Sequence, residues 1–267
     1  MPFFRRENID FYYEEYGSGP AFVFSHGLGN NLAQVRELMG ELPGFRVILY
    51  DNRGHGRTSG IGDPARLTFP VMAEDMTALL DHLAVPAAAV GGVSMGAGIS
   101  LAFGLKNPAR TKALVLSRPA WLNSPQPENL KILQLIADLV EKYGPEQGVE
   151  HFQRSERFAD LERVAPSSAK TVAALFTSRE PEAIINTFRY IPTSVPFHSW
   201  EELRSVGAPA LVLANRSDPI HPFEYAERLF SALPRATWRE LPPKSESLEL
   251  HQNRFREYVT EFLRDHA

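Results

Sequence analysis

A glycine-rich turn between an apolar run and a helix-forming segment is the feature that most constrains the fold of this chain. Residues 87–93 are apolar and small, as in a buried strand, and residues 99–105 have the pattern of a helix. Between them, Gly92, Ser94 and Gly96 form the pattern G-x-S-x-G. Parallel strands need crossover connections, commonly helices, so a strand that turns directly into a helix indicates a βα unit of a parallel sheet.

The alternation of strand and helix signals continues on both sides of this turn. Short apolar or β-rich runs predict further strands at residues 21–25, 45–50, 113–116, 210–214 and 237–241. Residues 9–16 predict an edge strand, and helix patterns occur at residues 69–83 and 252–264. Repeated βα units predict an α/β fold, with a mostly parallel central sheet and helices on both faces.

One long segment interrupts this alternation. Residues 121–205 are helical in pattern and polar, are broken by prolines, and contain no buried-strand run. We therefore predict an α/β core formed by residues 1–120 and 206–267, with residues 121–205 as a helical cap, or lid. In open α/β sheets ligands bind outside the carboxyl ends of the strands, so we expect the cap to cover that edge.

Composition excludes several classes of site and partner. The chain has no cysteine, which excludes disulfides, a thiolate nucleophile and a cysteine-based zinc site. The formal net charge of −4 provides no basic field for nucleic acid or an anionic membrane. The arginines near the start precede no apolar run, and no stretch approaches the ~20 apolar residues of a membrane helix. We expect a cytoplasmic protein, monomer or homodimer, that acts on a small molecule without a metal or organic cofactor.

The chemistry of the G-x-S-x-G turn centres on Ser94. A sharp strand-to-helix turn presents the serine hydroxyl at the edge of the sheet, with the serine backbone strained and the flanking glycines leaving room for neighbouring chain. The amino terminus of the following helix favours negative charge that develops beside the serine. Ser94 is therefore the predicted nucleophile.

Two further loops extend the pattern. Residues 26–29 read His-Gly-Leu-Gly after one predicted strand, and residues 51–58 read Asp-Asn-Arg-Gly-His-Gly-Arg-Thr after the next. In this order the motifs resemble the α/β-hydrolase superfamily, in the branch with HG-x-G, D-x-R-G-x-G-x-S and G-x-S-x-G. Thr58 stands at the serine position of the second motif. The resemblance covers essentially the whole chain outside the predicted cap, and it implies architectural roles for the loop at residues 51–58.

The resemblance also implies roles for residues outside the turn. The backbone N–H groups of Leu28 and Met95 are the expected donors to an oxyanion. Asp218 follows the strand at residues 210–214 in a segment similar to the family pattern G-x-x-D-x-x-x-P, with asparagine in place of the glycine. Asp218 is thus the expected acid that orients a catalytic histidine. Trp121 and His221 are expected to line the substrate pocket.

The chain departs from the family pattern after the last predicted strand. The family has Gly-His there, whereas residues 241–251 read LPPKSESLELH and place Ser245 or Glu246 at the expected histidine. In one interpretation His251 is the base, brought in by a remodelled loop. In a second, Glu246 takes the place of the histidine, and its proximity to Asp218 would raise one pKa of the two carboxyls. In a third, the triad is incomplete.

These observations predict a serine hydrolase. Its substrate would be a small to medium, moderately hydrophobic ester, lactone or related acyl compound, hydrolysed through an acyl-enzyme on Ser94. The alternative is a protein of the same fold with an incomplete triad, acting as a lyase, an isomerase or a ligand-binding protein, because the fold does not by itself determine function. A histidine nitrogen within hydrogen-bond reach of Ser94 would discriminate between the two.

Overall fold

A mixed sheet of eight strands runs through the computed structural model, which describes residues 2–58 and 60–267. The strands are β1 (Phe3–Arg6), β2 (Ile9–Gly17), β3 (Ala21–Ser25), β4 (Arg46–Tyr50), β5 (Ala88–Val93), β6 (Thr111–Ser117), β7 (Ala210–Ala214) and β8 (Ala236–Glu240). Their spatial order is β1-β2-β4-β3-β5-β6-β7-β8. Strand β2 is antiparallel to β1 and β4, and the other neighbouring pairs are parallel. The predicted α/β fold with a mostly parallel sheet is confirmed.

Helices cover both faces of this sheet. They are α1 (Leu32–Met39), α2 (Phe69–His82), α3 (Met95–Lys106), α4 (Lys131–Tyr143), α5 (Pro145–Gln153), α6 (Glu156–Val164), α7 (Pro166–Ala174), α8 (Pro181–Tyr190), α9 (Trp200–Leu203), α10 (Phe223–Ala232) and α11 (Leu248–His266). Helices α1 and α11 contribute to one buried cluster, whereas α2, α3 and α10 contribute to the other. None of the helices in residues 2–58 and 60–267 combines the length and the apolar character needed to cross a membrane.

Strand β4 shows how the sequence produces this two-sided core. Val47 and Leu49 belong to the cluster with α1 and α11, whereas Ile48 and Tyr50 belong to the opposite cluster. Successive side chains of a strand point to opposite faces, so a strand covered on both faces must be apolar throughout. This is why such strands read as continuous apolar runs.

The prediction of an edge strand at residues 9–16 was wrong in one respect. Strand β2 lies there, but β1 pairs with its outer side and takes the edge of the sheet. Phe4 is buried and stacks on Phe11, with ring centroids 4.9 Å apart. A four-residue strand is too short to show a clear alternation, so only its pairing with β2 reveals it.

The chain between β6 and β7 contains helices α4 to α9 and no strand. Large aromatic side chains from this segment, including Phe152, Phe176 and Phe188, are completely buried. Leu175 and Phe188 also reach the loop at Gly29, where an added Cβ would lie 2.5 Å and 3.2 Å from them. The inserted helices therefore pack onto the loops at the carboxyl ends of the central strands.

A buried ion pair ties the loop after β4 to helix α2. The Arg53 guanidinium donates to both carboxylate oxygens of Asp75, at 2.7 and 2.6 Å, and both side chains are at most 1% exposed. Arg6 of β1 also donates to Asp75. Removing one partner of a buried pair leaves an uncompensated charge, so Asp75 stabilises both the loop and the edge of the sheet.

Asp75→Ala should therefore lower the free energy of unfolding by about 3–5 kcal/mol, because the buried Arg53 would lose both of its carboxylate hydrogen bonds and keep only the longer contact with Glu7, at 3.9 Å. Urea denaturation measures the change. Asp81→Ala is the matched control, since it breaks the more exposed pair with Arg110 and should cost less than about 1 kcal/mol. Equal costs for the two variants would contradict this account.

Candidate active site

Ser94 occupies the turn between β5 and α3 in a backbone conformation that L-residues rarely adopt, with φ 58° and ψ −113°. The turn is possible because the residues two positions before and after Ser94 are glycines. A Cβ on Gly92 would lie 2.3 Å from the carbonyl carbon of Gly96, and one on Gly96 would lie 2.2 Å from the Ser25 oxygen. These backbone contacts place Ser94 at the carboxyl edge of the sheet, and such strain persists only where the surroundings impose it.

The loop after β3 lies directly over Ser94. An added Cβ on Gly27 would be 3.5 Å from the Ser94 Cβ. His26 donates from Nδ1 to the Gly27 oxygen at 2.8 Å and accepts from the Asn52 N–H at Nε2, at 3.1 Å. His55 braces the same loop by accepting from the Gly29 N–H at 3.2 Å. Burial lowers the pKa of His26 to about 4, so this ring is a neutral brace of the loop.

Two backbone N–H groups near Ser94 have no acceptor among residues 2–58 and 60–267. Leu28 N–H makes no hydrogen bond to a described residue. Met95 is the first residue of α3, where helix N–H groups lack an intrahelical partner. These are the two N–H groups that the sequence suggested as oxyanion donors; one lies on the loop after β3 and the other at the start of α3.

Asp218 and His221 form a hydrogen-bonded pair in the loop between β7 and α10. His221 Nδ1 lies 2.9 Å from Asp218 Oδ2, and the Ile220 N–H donates to Asp218 Oδ1 at 3.2 Å. Burial by itself would raise the pKa of Asp218, but the charge and hydrogen bond of His221, together with Arg118, hold that pKa well below its usual range. With Nδ1 donating to an ionised carboxylate, Nε2 of a neutral His221 carries the free lone pair.

Two cationic side chains lie beside this pair, and sequence reasoning missed both. Arg118 follows β6 directly, is 6% exposed, and lies with Nη1 3.4 Å from Asp218 Oδ2. Lys244 lies in the loop after β8. The charge of Arg118 and burial lower the pKa of Lys244 to about 7, despite the opposing charges of Asp218 and Glu37. The available signal for Arg118 was a charge placed directly after a buried strand.

A cavity of about 130 Å³ brings these groups together. Its polar lining includes Ser94, Arg118, Asp218, His221 and Lys244. Its apolar lining includes Leu28 and Trp121 of the core loops and, from the inserted helical segment, Leu130, Ile132, Leu133, Val172 and Leu175. The structure thus assembles a serine, an imidazole–carboxylate pair and two cations inside a largely apolar enclosure.

Several residues expected in the pocket are present there, and others are not. Trp121 lines the cavity as expected and also packs edge to face on Phe69, with ring centroids 5.3 Å apart. Glu246 is exposed and does not line the cavity. His251 is buried on α11, where Nδ1 donates to the Pro242 oxygen at 2.8 Å, and it does not line the cavity either.

His221 lines the cavity as expected, and its loop also brings the imidazole onto Asp218. The sequence places it in the pocket but gives no reason for a loop to supply both the acid and an imidazole. The backbone explains the arrangement, because Ser217 has φ 61° and the His221 N–H donates to the Asp218 oxygen at 3.2 Å. This turn folds the imidazole back onto the carboxylate three residues earlier.

Comparison with known proteins identifies the family of the chain. A family model of the alpha/beta hydrolase fold matches residues 20–247. A protein of Variovorax paradoxus named carbamate hydrolase RutD is 30% identical over 240 residues, which cover 86% of this chain and 87% of that relative. A 3-oxoadipate enol-lactonase of Acinetobacter baylyi is 34% identical over 102 residues, which cover 38% of each protein.

Solved structures share the same architecture. A malate-bound thermophilic esterase from Thermogutta terrifontis superposes with a TM-score of 0.72 and is 26% identical, covering 96% of this chain and 94% of the esterase. An enol-lactonase from Burkholderia xenovorans superposes with a TM-score of 0.77 over 98% of this chain and 100% of the lactonase. At 22% identity, the second match shows a shared fold.

Gly96→Ala should destabilise the protein by about 1–3 kcal/mol, because its Cβ would overlap the Ser25 backbone and overpacking costs that much. Gly207→Ala is the control, since a Cβ there meets no atom within 4 Å. Thermal and urea denaturation of both variants measure the difference. If the two substitutions had the same effect, the close approach of α3 to β3 would not be what shapes the turn.

Proposed function

The chain belongs to the α/β-hydrolase family, and we propose that it hydrolyses a small acyl compound through an acyl-enzyme formed on Ser94. Among the described residues no hydrogen bond joins Ser94 to a histidine, and catalytic hydrogen bonds commonly tighten only when substrate is bound. The observation that carries the proposal is therefore the hydrogen bond between His221 Nδ1 and Asp218 Oδ2. It gives the imidazole an orienting carboxylate in the cavity that Ser94 also lines. The base missing from the loop after β8 is then supplied by the loop after β7.

The proposed reaction begins when His221 Nε2 accepts the Ser94 hydroxyl proton as the serine oxygen attacks the acyl carbon. Asp218 stabilises the imidazolium that forms. His221 returns the proton to the leaving group, and water then repeats the sequence on the acyl-enzyme. The N–H groups of Leu28 and Met95 are the proposed donors to the oxyanion, and removing such a donor costs roughly 100- to 1,000-fold in kcat.

The cavity and the relatives support a small substrate. A volume of about 130 Å³ is below the ~300–1,000 Å³ of drug-sized sites. The apolar lining favours a short hydrocarbon portion, and the names of the relatives include a carbamate hydrolase, a lactonase and an esterase. We propose a small ester, lactone or carbamate as the substrate.

We further propose that residues 121–205 act as a cap on the core formed by residues 1–120 and 206–267. Leu130, Ile132 and Leu133 near the start of this segment, together with Val172 and Leu175, supply the cavity wall that faces the core loops. Excluding water from the enclosure strengthens the electrostatic interactions within it. In this proposal the cap determines which acyl chains fit.

Ser94→Ala and His221→Ala should each lower kcat/KM for p-nitrophenyl acetate at least about 100-fold, because each removes a group that takes part in the transition state. His251→Gln is the control at the base first suggested by the sequence, and it should retain activity. A serine-directed phosphonate should label the wild type and not Ser94→Ala. If His251→Gln lost activity while His221→Ala kept it, the assignment of the base would be wrong.

The pH profile distinguishes His221 from Lys244 as the base. Burial lowers the pKa of His221 below 6.5, although Asp218 opposes the shift. The neutral ring is the base, so kcat/KM for this uncharged ester should rise with pH through that lowered pKa and level off below about pH 7. A midpoint near 7 that disappears in Lys244→Met would instead assign the base to Lys244, whose pKa is about 7.

No hydrolysis of acetate or butyrate esters by the wild type, together with no labelling of Ser94, would overturn the hydrolase proposal. That result would favour the non-hydrolytic alternative raised by the sequence.

A further inference from the structure

The charges that line the Ser94 cavity are unbalanced. Arg118 is cationic, Lys244 with its pKa of about 7 is protonated in about half of the molecules at neutral pH, and Asp218 is the one carboxylate among the described lining residues. His221 is mostly neutral at neutral pH because burial lowers its pKa. An enclosed apolar cavity with excess positive charge favours an anionic ligand.

Asp218 cannot satisfy both cations. Its Oδ2 already contacts His221 at 2.9 Å and Arg118 at 3.4 Å, and its Oδ1 accepts the Ile220 N–H. The contact to Arg118 is long for a charge-assisted hydrogen bond, which normally spans about 2.7–2.9 Å. Arg118 is therefore only weakly paired by the carboxylate it touches.

Arg118 also retains unused donors. Its guanidinium has five N–H groups, yet the contact with Asp218 is its one side-chain hydrogen bond to a described residue. Its Nε is fully buried and has no hydrogen-bond partner among the described residues. A buried donor without an acceptor is costly, and a planar carboxylate is the acceptor that the guanidinium fork matches.

Lys244, in the loop after β8, also lacks a hydrogen-bond acceptor. It forms no hydrogen bond or ion pair with any residue in the described part of the chain, and Asp218 and Glu37 act on it through their charges alone. Arg118 is the largest cause of its lowered pKa, so the two cations lie close enough to repel each other. An anion held between them would relieve this repulsion and supply acceptors to both.

We propose that Arg118 and Lys244 bind a carboxylate group of the substrate, so that the protein acts on short acyl compounds that carry a free carboxylate. This inference rests on the proposed hydrolase function, in which Ser94 attacks the acyl carbon of the same substrate. The cations and Ser94 line one cavity of about 130 Å³, so the carboxylate and the acyl carbon are separated by a short chain. The apolar residues of the inserted segment enclose that chain.

The test compares two esters of similar length, methyl butyrate and the monomethyl ester of succinic acid, by pH-stat titration at pH 6.5, where Lys244 is mostly protonated. Wild-type kcat/KM should be at least tenfold higher for the succinate ester. Lys244→Met should lower the ratio of the two values at least tenfold, and Lys244→Arg should preserve most of it. Lys170→Met, which removes an exposed charge on α7, should leave the ratio unchanged.

A binding measurement separates this inference from the proposed reaction. Calorimetry with butyrate and butyramide should show that wild type and Ser94→Ala bind the carboxylate more tightly, and that Lys244→Met loses the difference. Carboxylate binding without any ester hydrolysis would support the anion site and overturn the hydrolase proposal. Ester hydrolysis with no preference for the carboxylate, in turnover or in binding, would overturn the anion site alone, and the absence of both activities would overturn both proposals.

Discussion

The close approach of helix α3 to strands β3 and β5 is the constraint on which the rest of the site depends. Gly92 and Gly96 allow backbone atoms to meet where a single added Cβ would lie 2.2–2.3 Å from its neighbours. Ser94 is held between them at φ 58°, a conformation that costs of order 1–3 kcal/mol unless the fold imposes it. The position of the serine therefore follows from main-chain packing, before any substrate contact is considered.

Around that serine, one loop performs two tasks. Asp218 pairs with His221 and, more weakly, with Arg118, so the same carboxylate serves the proposed base and partly balances the cavity. Asp218 and a second carboxylate together would balance the charges of Arg118 and Lys244. The described lining residues do not include a second carboxylate. Asp218 is shared between His221 and Arg118. Both the chemistry proposed for Ser94 and the charge proposed for the substrate depend on this sharing.

Much of the fold could be predicted because its signals are local. Buried strands read as apolar runs, and the G-x-S-x-G turn carries its geometry in its glycines. The resemblance to a known family located Asp218, Leu28 and Met95 beside Ser94. Strand β1 was missed because its pairing with β2, rather than its four residues, defines it.

By itself, the sequence determined every described strand except β1, the serine turn and the absence of a histidine at Ser245 and Glu246, because each depends on residue type at a given position along the chain. The tertiary structure decided which remaining side chains meet. His251 lies buried outside the cavity, whereas a left-handed residue at Ser217 helps to fold His221 back onto Asp218. Arg118 and Lys244 converge from separate strands. These contacts depend on loop conformation and strand order, which residue patterns do not encode locally.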